Sequence, residues 1–150
     1  MSLNLHFCEE YKVRHSQTTV CDGNECNAIN RLFEWLNNRA EHRHILSGND
    51  QDFAFSDYLE WDKEGVREAL SILRDMDRAN ETWRDIPTYS PMPTNHTESS
   101  GDWSMDKWQK DELVYAEKVH KITPKRMADF LQDALDNCEE SIDYIVFLWI

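Results

Sequence analysis

Apolar residues recur along most of this chain at helical spacing. Ile29, Leu32, Phe33, Leu36 and Ala40 fall on one face of a helix predicted over about 25–41. Asn24 or Asp22 is positioned to cap it, and Arg39, His42, Arg43 and His44 gather at its negative end. Val66, Ala69, Leu70, Leu73 and Met76, extending to Trp83, mark a second helix over about 62–83. Trp108, Tyr115, Ala116 and Val119 form the inward stripe predicted for a third, over about 105–121. The fourth has the clearest start. Thr123 is an N-cap candidate, and Pro124 follows at the first helical position, where its missing N–H costs nothing. Met127, Phe130, Leu131, Ala134, Leu135 and Cys138 make its stripe.

The first residues follow a different period. Leu3, Leu5 and Phe7 alternate with Asn4, His6 and Cys8, and Tyr11 and Val13 continue the pattern. A period of two predicts a strand, with a hairpin near Glu9-Glu10. Phe53 and Phe55 alternate in the same way over a short stretch. The final run, IDYIVFLWI, fits two states. Ile142, Ile145 and Trp149 extend the fourth helical stripe, while the β-branched and aromatic content suits a buried strand paired with the N-terminal one. Acids crowding 133–143 argue for a helix that runs on, because carboxylates disfavour a helix C-terminus. The expected fold is α+β and mainly helical, with about four amphipathic helices and a small sheet; an all-α fold is the alternative.

Between the second and third helices, 86–103 holds Pro87, Pro91, Pro93 and Gly101, and predicts a long loop within a single domain spanning 1–150. Trp61 and Trp103 near it are candidates for a recognition rim, since Trp is enriched at binding hot spots. Trp83 and Trp108 are read as core.

Charge adds a functional direction. The chain carries 29 acidic against 16 basic side chains, a formal net charge of −13. Such a surface repels nucleic acid and anionic lipid and attracts basic proteins. The acidic sets singled out are Asp50, Asp52, Asp57, Glu60 and Asp62, then Asp133, Asp136, Glu139, Glu140 and Asp143. The expected function is a non-enzymatic interaction protein that binds and modulates a basic protein partner, in the manner of nucleic-acid mimics, antitoxins or immunity proteins. One basic stretch interrupts the acidity. Lys118, His120, Lys121, Lys125 and Arg126 straddle a helix end and a helix start, where an anion can be held. With His96 in the loop, they define the alternative, a small enzyme or anion-binding domain.

Other chemistry finds little support. Cys21 and Cys26, with His42 and His44, lack the spacing of a tetrahedral zinc set, and no other cofactor signature is present. CDGNEC and SGNDQD lack the alternating oxygen ligands of a calcium loop. No start resembling a signal peptide and no run of about 18 apolar residues occurs, so the expected location is the cytoplasm, with reduced thiols.

Overall fold

A computed structural model of the chain describes residues 5–9, 12–14, 26–39, 45–47, 58–88, 105–138 and 143–149. The order of elements is β1 (Leu5–Glu9), β2 (Lys12–Arg14), α1 (Cys26–Arg39), β3 (Ile45–Ser47), β4 (Tyr58–Asp62), α2 (Lys63–Arg78), a 3-10 turn (Trp83–Asp85), α3 (Lys107–His120), α4 (Pro124–Asn137) and β5 (Tyr144–Trp149). The fold is mainly helical α+β.

The strands form one antiparallel sheet in the order β2-β1-β5-β4-β3. It is larger than the pattern of the termini predicts, because β3 and β4 join it. The terminal run is the strand, pairing Cys8 with Val146 on one side and Trp61 with Ile145 on the other. The acids before it do not prolong α4. That helix ends at Asn137, whose side-chain amide donates to the Asp133 carbonyl at 2.8 Å and to its carboxylate at 2.7 Å. The outer strands are three residues each, and β2 carries Lys12 and Arg14. Short, charged edges resist pairing with other chains.

Alternation along β4 and β5 sorts the sheet's faces. Leu59, Trp61, Ile145 and Phe147 are buried, while Glu60, Asp62, Tyr144 and Val146 are half-buried. The buried face meets the helices through aromatic rings. Phe147 lies 5.7 Å from Phe33 of α1, 5.9 Å from Trp61 of β4 and 5.8 Å from Phe130 of α4. Phe33 and Trp61 complete the cluster at 5.4 Å. Trp61 is therefore core, not recognition rim.

Helix ends follow local chemistry. Thr123 caps α4 as predicted, its hydroxyl accepting from the Arg126 N–H at 3.1 Å, with Pro124 in the first turn. Asp62 caps α2, accepting from the Glu64 N–H at 3.1 Å. α2 stops at Arg78 rather than near 83, because Asn80 takes a left-handed conformation at φ 58°. The Glu81 N–H then reaches the Met76 carbonyl and the Asn80 N–H the Asp77 carbonyl, the paired bonds of a Schellman stop. Trp83 stands beyond that stop, buried in its own turn, with its indole N–H donating to the Ile122 carbonyl at 2.6 Å.

α3 departs most from its predicted face. Gln109, Leu113 and Ala116 turn inward, toward α1 and the 3-10 turn, and leave Trp108, Tyr115 and Val119 exposed. The helix has two candidate faces, and the one carrying Leu113 and Ala116 is the buried one. The Pro-rich loop is tied at its base, where Thr88 bridges Met105 and the Met105 N–H donates to the Pro87 carbonyl at 3.2 Å. Within that loop, residues 89–104 lie outside the described residues, as do Phe53 and Phe55.

α2 and α4 pack along one another and share a surface ion pair. Asp129 accepts from Arg74 at 3.0 Å and from Lys125 at 3.1 Å. Partial burial alone raises the Asp129 carboxyl, but both hydrogen bonds and both positive charges outweigh it and hold the group below its ordinary value of 3.8.

Two predictions follow from this packing. Phe147→Ala should destabilise the fold by ~3–5 kcal/mol in urea unfolding, and Val146→Ala by less than half of that. Asp129→Asn should lower stability by under ~1 kcal/mol at neutral pH. Because the folded carboxyl titrates lower than the unfolded one, its contribution is complete above 3.8 and disappears as pH falls through the folded value, so wild type and variant should converge in acid.

Candidate functional site

The chain reversal after α2 builds a charged cleft against α1. Trp35 and Arg39 lie four residues apart, on one face of the last turns of α1. The Arg39 guanidinium stands 4.8 Å from the centre of the Trp35 ring, a cation–π contact. On the facing side, α2 contributes Ile72, Asp75 and Met76. The Schellman stop then brings Glu81 round, and the 3-10 turn adds Asp85, Ile86 and Pro87.

Asp85 is fixed by a capping box. Its carboxylate accepts from the Thr82 N–H at 2.8 Å, while the Thr82 hydroxyl accepts from the Arg84 N–H at 3.3 Å. Trp83 anchors the turn from below. The space enclosed is about 450 Å³. Its floor is apolar, with Met76 and Ile86 buried and Ile72 half-buried. Its rim carries Asp75, Glu81 and Asp85 against the single cation Arg39, three negative charges to one positive. Asp75 also pairs with Arg78 on the outer surface of α2. Trp35 is 4% exposed, and its indole N–H is buried with no hydrogen-bond partner. Such a donor costs free energy unless something binds it.

The acids singled out by charge alone are not gathered in this way. Glu60 lies half-buried on β4, and Asp62 is occupied as the cap of α2. On α4, Asp133 holds Asn137, and Asp136 accepts from Gln132 at 2.9 Å. Asp50, Asp52, Asp57, Trp103, Glu139 and Glu140 lie outside the described residues, as does His96.

The basic stretch is already engaged in part. Lys125 bonds Asp129, and the Arg126 side chain donates to the His120 carbonyl at 3.5 Å. Lys121 ends α3 in the left-handed region at φ 62°, and Lys118 and His120 are exposed. Among the described residues no group of three or more His, Cys, Asp or Glu is arranged to hold a metal ion. Of the zinc candidates Cys26 opens α1, and Cys21, His42 and His44 lie outside the described residues.

Trp35, Arg39, Asp75, Glu81 and Asp85 escape a reading by charge clusters, because no two of them are adjacent in sequence. The Thr82–Asp85 capping box is a readable local signal. That it faces the end of α1 is decided only by tertiary packing.

Fold and cleft together define an α+β domain with helices against one face of a five-stranded antiparallel sheet and an acidic cleft at the helix ends. No protein-family model, curated protein or solved structure matches the chain.

Trp35 and Trp83, two of the three buried indoles among the described residues, flank the cleft and allow a comparison. Trp35→Phe and Trp83→Phe remove the same volume, but only the second breaks a hydrogen bond. The Trp83 variant should be the less stable of the two by about 1–3 kcal/mol in chemical denaturation.

Proposed function

We propose that the protein is a non-enzymatic, cytoplasmic interaction protein that binds a basic protein partner and thereby modulates or inhibits it. The cleft carries this reading, with three carboxylates, one guanidinium and an apolar floor in a space of about 450 Å³. That combination suits a lysine or arginine side chain, whose methylene stem lies along Ile72 and Pro87 while its charged head meets the carboxylates. Asp133 and Asp136 on α4, together with the net charge of −13, add long-range steering of a basic surface. Among the described residues no helix is long and apolar enough to cross a membrane. The anion-binding alternative at Lys118–Arg126 is weakened by the engagement of Lys125 and Arg126 within the fold.

Binding of a hexa-arginine peptide, measured by calorimetry at two salt concentrations, tests the site. Asp75→Asn/Glu81→Gln should weaken binding about tenfold, corresponding to two lost charge-assisted contacts. Glu64→Gln/Glu68→Gln removes the same charge elsewhere and should change affinity by less than threefold. Equal effects from the two pairs would show diffuse attraction and refute the cleft as the site.

A further inference from the structure

α3 carries an apolar stripe that is exposed among the described residues. Trp108, Tyr115 and Val119 are 47%, 57% and 47% exposed. Steps of seven and four residues place them on one side of the helix, away from the inward Gln109, Leu113 and Ala116. They are the exposed large hydrophobic residues among the described residues. Ordinary core packing does not need them, since the opposite face already seats the helix.

The charges on α3 narrow what can cover this stripe. Lys107, Lys110 and Lys118 balance Asp111, Glu112 and Glu117, so the helix is neutral within a chain of net charge −13. A strongly basic partner gains no attraction here. Two acidic copies, in contrast, approach with least repulsion along their neutral faces.

The order of the charges is also self-complementary. Asp111 and Lys118 occupy the same flank of the stripe, one in each half of the helix. When two α3 helices cross antiparallel about a two-fold axis, Asp111 of each faces Lys118 of the other. In that register Tyr115 of one copy meets Tyr115 of the other next to the axis, and Trp108 of each helix lies close to Val119 of its partner. Asp111 accepts from Lys107 at 2.9 Å, which leaves a carboxylate oxygen to bridge outward. Among the described residues Lys118 has no ion-pair partner.

We propose that the α3 face is a homodimer interface, formed by antiparallel pairing of Trp108, Tyr115 and Val119 with a second copy and held in register by reciprocal Asp111–Lys118 pairs. This proposal is independent of the cleft and of its partner. A single helix pair buries little area, so the association is weak and reversible.

Sedimentation equilibrium on the full chain over a range of concentrations and at moderate salt tests it. Wild type should show a monomer–dimer equilibrium, and Trp108→Ala should weaken it at least tenfold with helicity retained by circular dichroism. Asp111→Lys and Lys118→Asp should each weaken self-association about tenfold, because the two-fold axis repeats every clash. Asp111→Lys lowers the net negative charge, so general repulsion alone would give the opposite result. Mixed in equal amounts, the two single variants should recover dimers as a heterodimer, since every facing pair is then opposite in sign. A folded wild type that stays monomeric throughout the range would overturn the proposal. So would dimers indifferent to the substitutions, or a mixture that fails to recover.

Discussion

The ring of Phe147 is the point at which the layers of this protein are joined. It projects from the central strand and touches Phe33, Trp61 and Phe130, so one side chain links α1, β4 and α4 to β5. Aromatic pairs at these separations add modestly to a burial term that is already large. The geometric consequence matters more. With three elements packed around one ring, the tilt of α1 over the sheet is set, and with it the direction in which Trp35 and Arg39 face.

The cleft arises from two consecutive chain reversals, each with a local cause. Asn80 accepts the left-handed turn that stops α2, a conformation costly for most residues other than glycine. Thr82 and Asp85 then rigidify the next three residues, while Trp83 ties them to the start of α4 through Ile122. The Asp85 carboxylate is thereby held at the cleft edge. A rigid rim loses less side-chain entropy when it meets a partner.

Local patterns foretold much of the architecture. The stripes of α1 as far as Leu36, of α2 as far as Met76 and of α4, with the Thr123-Pro124 start, are short-range signals that the fold follows. On α3, Trp, Tyr and Val dominate any hydrophobic count, whereas the packed face carries Leu113, Ala116 and even Gln109. Trp61 misled in another way. Its residue type and nearness to the Pro-rich loop suggest a hot spot, yet alternation on β4 turns it to the buried face and leaves Glu60 and Asp62 on the other. β3 is too short to announce itself, and its pairing to β4 is a tertiary fact. The cleft was beyond reach because its residues are drawn from three elements, and no charge run marks them.

The position of β5 carries one more consequence. β1 and β4 are not neighbours; β5 lies between them and bonds to both. Without that strand the ladder would divide into two ribbons, β2-β1 and β3-β4, and a two-stranded ribbon alone is marginal. The partner strand β1 begins at Leu5, so sheet closure spans nearly the whole described chain and is intrinsically slow. A molecule that loses β5 opens two long interior edges at once, far better templates than the short outer strands. The slot between them presents the same backbone groups to any β5, which is the geometry that exchange of an identical strand between copies requires.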